Sequence, residues 1–593
     1  MMHKTIAVLP FVNMSASAEN EYFSDGITEE IINALAKIRN LKVTSRTSSF
    51  FFKNKSVPIR QIGKELNVSA ILEGSVRRAG DTIRITAQLI QAEKDFHFWS
   101  ETWDRKLENI FEIQDEISLL IADKLREHVG HFEIQDHLVE KQTDNMEAYE
   151  YALKAKFHFN KWNPEDMRIA IPLYEKALAL DPHYTETYLG LADCYGFMAT
   201  TGFMPFEEAW GKAAGLTNKA LELNDQSSGV HYQLANLAFF TACDYATSFK
   251  HAVLAIEINP NHVEGQQFMS YLYIITGEKE KSRQHLEIAL SINPLSQETL
   301  FFSAYYHYMT EDFTKSLAQL NQCLEHNPKN LPALTIRYYC LLMLGHFDEV
   351  IHTFEQASDD MLVRGDKTGL TGLAYALKKD VARAATYREQ LLEQAKSPGG
   401  FRANSYLFLI YAANQENDQA FAWISKAKET HSFFLLIHFA DPLTNPIKTD
   451  PRYLEWQKFL FPEDMVRPTA SKKKALLDAA SATTYAHRLE QYIREETPYL
   501  DPNLSLRSLA EQIDLHPNQL SWLLNESLGK NFNEFINHYR VETFKALSRD
   551  PKKAHITLIG LAYESGFNSK TVFNTYFKKE TGLTPRQFLK QTE

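Results

Sequence analysis

One six-residue phrase recurs along the middle of this chain and restricts its fold more than any other feature. ALALDP (177–182), ALELND (220–225), AIEINP (255–260), ALSINP (289–294) and CLEHNP (323–328) share it. The last three begin at 255, 289 and 323, a period of 34 residues, and the two earlier intervals of 43 and 35 place an insertion near Thr200–Phe206. Proline cannot continue a helix, so each phrase ends the second helix of a pair and sets the turn into the next. One such pair cannot bury its own apolar faces, so neighbours must stack and share a core. Ala177, Ala220, Ala255 and Ala289 are small enough to let the stacked helices approach closely. After Pro328 the period fades, although Gly345-His-Phe-Asp-Glu still reads as a turn between helices.

The 34-residue period with a helix-ending Asn-Pro or Asp-Pro is the signature of tetratricopeptide (TPR) repeats, so residues 145–460 are expected to form a TPR α-solenoid. The resemblance implies a concave face that holds a peptide or partner protein; a plain spacer or dimer platform is the other reading. The aromatic pairs Phe239-Phe240, Phe301-Phe302, Tyr305-Tyr306 and Tyr338-Tyr339 read as inter-helix core and not as a cofactor pocket. Asp441–Trp456 is proline-rich and is expected to close the array as irregular chain.

Residues 1–130 read differently. Thr5–Phe11 and Leu41–Thr44 are short strand-like runs, and Ala70–Val76 and Thr82–Leu89 are two strands joined at Arg78–Asp81. In the second of these, Ile83, Ile85, Ala87 and Leu89 alternate with polar residues, the period of a half-buried strand. Helical spacing covers Ile27–Ile38, with Asp25-Gly26 as its starting turn, and also Ile59–Leu66 and Ile110–Glu127. The order β-α-β-α-β-β-α predicts a small α/β domain. IAVLPF, EYFSDGITEEI, SRTSSF, IGKELNV, ILEGSVRRAGDTIRITAQLI and FWSETWDR resemble the TolB-like N-terminal domain, which often precedes TPR arrays in bacterial signalling proteins. Gly74 with Arg77-Arg78 read as a packing glycine and a solvated hairpin ahead of the alternative, an anion site.

A linker is expected at 461–484, where Lys472–Lys474 read as a solvated run or a phosphate-touching arm. Beyond it, residues 485–593 carry short helices in a doubled pattern. Leu506–Ile513 is amphipathic, Asp514-Leu515-His516 is a tight turn, and Pro517 sits where a first helical turn needs no N–H donor, ahead of a helix Asn518–Ser527. The unit repeats about fifty residues on as Leu558–Glu564, the turn Ser565-Gly566-Phe567, and a helix Lys570–Lys579 capped by Asn568 or Ser569, with a long helix Phe532–Leu547 between the two. A rigid connector can hold two recognition helices about one DNA turn apart, roughly 34 Å.

SLAEQI, HPNQLSWLLNESLGKNFNEFINHYRVE and IGLAYESGFNSKTVFNTYFKKETGLTPRQFL resemble the AraC-family DNA-binding domain of bacterial transcription regulators. The resemblance places Asn518, Gln519, Ser521 and Trp522 of the first recognition helix, and Ser569, Lys570, Thr571, Asn574 and Thr575 of the second, toward base edges. Asn and Gln suit adenine and Lys suits guanine. It makes Arg540, Lys578 and Lys579 phosphate contacts. Leu509, Ile513, Leu520, Leu524, Leu561, Ala562, Phe567, Phe573, Phe577 and Phe588 fall to the core. Trp522 stands where many relatives place Arg, and it cannot make a bidentate base contact.

Charge alone points away from DNA, since the formal net charge is -12. From Leu515 to the end, however, eleven Lys/Arg face seven Asp/Glu, leaving a locally basic end on an acidic body. The four cysteines, Cys194, Cys243, Cys323 and Cys340, have no metal-like or CxxC spacing and read as small core residues of helices in a reducing compartment. Without a signal-like apolar segment or a spanning run, a cytoplasmic protein with no membrane role is expected. No Walker loop, HExxH, GxSxG or kinase motif set occurs, so neither an enzyme nor a metal or cofactor is expected; His97 near Asp95 and Glu101 reads as structural. The sequence therefore predicts a multidomain, mainly α protein: α/β domain, TPR solenoid, linker and all-α double helix-turn-helix. Double-stranded DNA is its expected partner. One such module already carries two recognition helices, so a dimer is not required. The competing reading is an interaction scaffold in which DNA binding is secondary.

Overall fold

The computed structural model describes residues 4–592 apart from 16–19, 39, 107–109, 140–141, 161–163, 201–202, 327, 329, 357–365, 397–400, 430–433, 463–475 and 554. Lys472–Lys474 lie outside the described residues.

The N-terminal domain is a six-stranded sheet of β1 (Thr5–Val8), β2 (Val12–Asn13), β3 (Lys42–Val43), β4 (Ala70–Ala79), β5 (Thr82–Gln91) and β6 (Phe96–Lys106) in the order β3-β1-β4-β5-β6, with β2 against Ser75 and Val76 of β4. β1 runs parallel to β3 and β4, and β4, β5 and β6 form an antiparallel meander. Its helices are α1 (Glu21–Ala36), α2 (Arg46–Phe50), α3 (Ile59–Glu65) and α4 (Ile110–Val129). Side chains alternate across a strand, so Ile6, Val8 and Leu72 pack against α1 and α4 while Ala7 and Ile71 pack against Ile62 and Leu66 of α3 on the other face.

Three details differ from the expectation. β6 is a full strand, but only Trp103 on it is buried, so it lacks the alternation that reveals a strand and is held by its ladder to β5. Helix α1 starts at Glu21, and Asp25 and Gly26 lie inside it. A Cβ on Gly26 would meet Leu153 at 2.8 Å, so this glycine permits close helix packing and does not start the helix. Third, the segment SRTSSF forms α2. Gly74 is likewise a packing glycine, with Thr86 O 2.3 Å from where a Cβ would stand, and Arg78 pairs with Glu150 at 3.0 Å. His97 is exposed on β6 and meets only Gln88 (3.1 Å) among the described contacts of its ring.

Helix pairs fill most of the rest. From Val263 the first helices begin at 263, 297, 331, 366 and 401, so the repeat continues well past the point where the sequence motif fades. The backbone shows why. A residue with positive φ closes the turn inside each pair at Cys243, Gly277, Glu311, Gly345, Lys379 and Gln415. Only two of these are glycine, so the period survives in the chain path but not in the residue type. Cys243 therefore sits in a turn, whereas Cys194, Cys323 and Cys340 are buried helix residues as expected. Ala177, Ala220, Ala255, Ala289 and Cys323 hold the same register and are fully buried.

Both ends of the array are covered by other parts of the chain. At the first end, Tyr149 and Leu153 belong to the apolar core of the N-terminal domain, and Lys156 pairs with Glu29 at 3.0 Å. The loops of that domain reach further along: Asn261 Nδ2 donates to Ala36 O (2.7 Å) and Leu41 O (3.0 Å), and Ser48 of α2 meets Asn293 Oδ1 at 2.6 Å. At the other end, Asp441–Trp456 is not irregular: a 3-10 helix Pro442–Ile447 and a helix Pro451–Leu460 fold back over the array. Buried Asp441 accepts from Tyr308 Oη at 2.6 Å, Phe461 lies against Tyr245, and Asn445 against Glu311. This stretch of the array from Tyr245 to Tyr339 is thus already occupied by the chain itself.

The first helices of earlier repeats carry Asp193, Glu264 and Glu298 close together. Burial, with the neighbouring carboxylates adding, pushes Asp193 up to about 7 and Glu298 up to about 8. The folded array therefore holds protons that the unfolded chain releases well below neutrality, and its stability falls as pH rises through that interval. Thermal unfolding is expected at lower temperature at pH 8 than at pH 5, and Glu298→Gln is expected to flatten that dependence.

Candidate nucleic-acid interface

The C-terminal module is two small cores on one rod. The helix Ala479–Glu496 begins inside the segment expected to be linker, capped by Asp478, and sends Leu489 and Ile493 into a core with Leu506, Leu509, Leu520, Leu524, Phe532, Phe535 and Ile536. The second core joins Val541, Phe544, Leu561, Ala562, Phe567, Phe573 and Phe577, with Phe588 packed on its edge. The 16-residue helix Phe532–Leu547 supplies both cores and starts on a capping box of Asn531 and Glu534. At 1.5 Å per residue it is a connector of about 24 Å.

Each half carries the expected helix, turn and helix. Leu515 N–H donates to Ala510 O (2.9 Å) after Asp514 at φ 58°, and Phe567 N–H donates to Ala562 O (3.1 Å) after Gly566 at φ 92°. These are the same turn 52 residues apart. Gly566 is required twice over, because a Cβ there would also stand 2.2 Å from Tyr499 O.

The second recognition helix, Lys570–Thr581, is capped by the Ser569 hydroxyl, which accepts from Val572 N–H. Lys570, Thr571, Asn574 and Lys578 are exposed on it, Thr575 is half-buried, and Lys579 is exposed with its ammonium 2.6 Å from Glu534. Of the sequence-derived residues in this half, Ser569 caps the helix and Lys579 pairs with Glu534 of the connector.

The first recognition helix, Pro517–Trp522, is different in four respects. Ser521 is fully buried, so it has no path to a base edge. The 52-residue offset explains this, since Ser521 corresponds to Phe573, a core position, and the repeat in the sequence would have revealed it. Trp522 packs partly against the first core, and Gln519 Oε1 accepts from His516 N–H (3.2 Å) to close a capping box. A π-helical turn, Leu523–Ser527, replaces the expected continuation of the helix.

Asn518 is the fourth departure. Its Oδ1 accepts from Ile134 N–H (3.1 Å) and from Arg126 Nη1, and its Nδ2 donates to Ile134 O (3.0 Å). Around it, Leu506 N–H donates to Glu127 Oε1 (3.0 Å), Arg507 pairs with Asp123 (3.3 Å), and Asn531 Nδ2 donates to His128 O (3.2 Å). His128 stacks on Phe98 with ring centroids 4.1 Å apart, and burial pushes it down to about 4, so its ring is neutral at neutral pH. Residues 123–134 of the N-terminal domain therefore lie against the first helix-turn-helix, with Arg126 and Ile134 on its recognition helix. Sequence reasoning did not single out Asp123, Arg126, Glu127 or Ile134, and nothing local could have done so, because their partners are almost 400 positions away.

Arg540 is not placed to contact phosphate. It is 8% exposed, Nε donates to Tyr499 O (2.7 Å) and Nη2 to Asp501 O (2.8 Å), and burial lowers it to about 10. Its guanidinium ties the 499–501 loop to the connecting helix beside Gly566. Among the described residues no group of three or more His, Cys, Asp and Glu is arranged to hold a metal ion.

With this geometry in view, the relatives fall into place. Residues 509–591 match the model of a helix-turn-helix domain, of AraC type. Residues 2–120 match the second domain of HilA/YgeH-like transcriptional regulators, a different description from the TolB-like one expected. A putative adenylate cyclase 3 from Rhizobium meliloti is 36% identical over 239 residues, 39% of this chain and 39% of that protein. The uncharacterized HTH-type transcriptional regulator YijO of Escherichia coli is 30% identical over 123 residues, 21% of this chain and 38% of its own length. The chain thus spans about two fifths of each of these relatives. A tetratricopeptide repeat protein from Parabacteroides merdae aligns with 42% of this chain and 92% of its own, at 16% identity and a TM-score of 0.28. No helix among the described residues is long and apolar enough to cross a membrane.

Removing the Arg540 side chain leaves the Tyr499 and Asp501 carbonyls without their charged donor, a loss of about 2 kcal/mol. Arg540→Ala is expected to speed hydrogen exchange across 499–501 and 561–577, whereas Lys570→Ala is expected to leave it unchanged.

Proposed function

We propose that this chain is a sequence-specific DNA-binding transcription regulator whose TPR array and N-terminal domain form a sensory or partner-binding platform. The observation that carries the reading is the doubled helix-turn-helix on one rigid connector, with Lys570, Thr571 and Asn574 exposed on the second recognition helix. In this reading those three, with Thr575, read bases, and Lys578 and Lys579 hold phosphates. Asn518 and Gln519 join them when the first helix is free, while Trp522 packs on sugar or a thymine methyl. The match of both chain ends to models of transcription-regulator domains supports the same reading. The TolB-like likeness of the N-terminal motifs is compatible with it, as is a cytoplasmic protein that reaches the chromosome directly. Cyclase activity belongs to the name of the R. meliloti relative and is not assigned to this chain, which is read as a non-enzyme.

In this reading the partner surface of the array lies on the repeats before Tyr245, around Asp193, because the stretch from Tyr245 to Tyr339 is covered by residues 436–461. One observation favours a second reading, a scaffold in which DNA binding is secondary: the first recognition helix is covered.

Selection of duplexes from a randomised pool by the full chain distinguishes the two. A regulator is expected to enrich one site with strongly salt-dependent affinity. Lys570→Ala or Asn574→Ala is expected to cost about 1–3 kcal/mol and relax one base pair, and Lys578→Ala to weaken all sequences alike. Recovery of no preferred duplex overturns the reading in favour of the scaffold.

A further inference from the structure

We propose that the N-terminal domain is a built-in inhibitor of the DNA-binding module, and that it works by presenting a protein surface that imitates DNA to the first recognition helix. The inference rests on the DNA-binding reading above.

The central contact is chemical imitation. Asparagine reads adenine through two atoms: the side-chain oxygen accepts from the N6 amino group and the side-chain nitrogen donates to N7. The backbone of Ile134 offers Asn518 the same pair, an N–H to Oδ1 at 3.1 Å and a C=O to Nδ2 at 3.0 Å. Arg126, itself fully buried and anchored to Asp123 at 2.6 Å, adds a second donor to Oδ1. Both polar atoms of Asn518 are used, so it cannot read a base while docked.

The surroundings repeat the theme. Phosphates are usually held by arginines and by backbone N–H groups at the start of a helix-turn-helix. Here two carboxylates take those donors: Asp123 receives Arg507, and Glu127 receives the backbone N–H of Leu506. The chain at Gly130 closes the remaining approach, with Asn525 Oδ1 only 2.9 Å from where a Cβ on that glycine would stand. One face of α4 and the segment after it thus supply two phosphate-like anions and one base-like edge.

The occlusion is selective. Lys570, Thr571 and Asn574 on the second recognition helix remain exposed, so the docked chain can make half of its DNA contacts. A signal that loosens α4 from the module would supply the other half. The N-terminal domain is also fastened to the array through Asn261 and Asn293, which gives a partner on the array a mechanical route to that joint.

The test uses the full chain and two variants on the N-terminal side. Asp123→Arg sets like charges against Arg507 and Arg126, and Glu127→Gln removes one carboxylate with little change of shape. Hydrogen exchange without DNA reads docking, and affinity for a duplex selected from a randomised pool reads its consequence. Wild type is expected to protect 126–134 and 517–525 together, and the duplex to expose 126–134. Asp123→Arg is expected to lose that protection and to bind at least tenfold more tightly, which corresponds to a wild type that is about 90% docked. Glu127→Gln is expected to gain severalfold, so an unfolded Asp123→Arg protein would not hide the effect. Equal affinity in wild type and folded variants, or wild-type protection of 126–134 that the duplex leaves intact, overturns the inhibition alone. Failure of every protein to select a duplex, with docking still seen by exchange, overturns the DNA-binding reading and this inference with it.

Discussion

A stacked helix pair has two apolar faces and can satisfy neither by itself, and this constraint organises the whole molecule. Inside the array each pair is covered by its neighbours. The two terminal faces need covers from elsewhere, and the chain supplies both. The N-terminal domain takes Tyr149 and Leu153 into its own core, so the first repeat and the sheet become one packed body. At the far end the chain returns through Asp441 and Phe461 and spans back as far as Tyr245. Capping thereby decides which surface of the array stays open.

The same demand fixes where the N-terminal domain stands, and its position has a second consequence. Helix α4 buries Ile113, Ile117 and Ile121 against the sheet and turns Asp123, Arg126 and Glu127 outward onto the helix-turn-helix module. Its apolar stripe is a folding element and its polar C-terminal turns are a joint. Buried arginines do the work at both joints of the module. Arg126 orders the contact with Asn518, and Arg540 ties the 499–501 loop to the connecting helix. A buried guanidinium is costly unless its donors are satisfied, so such a residue makes a joint specific to one geometry.

Much of the candidate site was legible along the chain. The two turns, the connector Phe532–Leu547, the N1 proline and the cap at Ser569 all rest on contacts within a few residues, which local sequence encodes. The resemblance to the AraC-family domain pointed to Lys570 and Asn574, and both are exposed on their helix. It pointed also to Ser521 and Arg540, which are buried, for two reasons. Ser521 is a small polar residue standing at a core position, and residue type points the wrong way there unless the two halves are aligned on their turns. Arg540 lies on a helix whose outward and inward faces are decided by the loop Tyr499–Asp501, which sits about forty residues upstream.

Read along the chain, residue order specifies the parts: a sheet domain, a periodic helical array, and a doubled helix-turn-helix with most of its core. It could do so because helix periods, prolines, caps and strand alternation are local properties of the chain. The fold alone shows that the later stretch of the array is filled by Asp441–Phe461, and that Asn518 is held by Ile134 and Arg126 and not left open. Each of those outcomes depends on surfaces that meet across a hundred or more residues, where complementarity of shape and hydrogen bonding leaves no mark on the order of neighbouring residues.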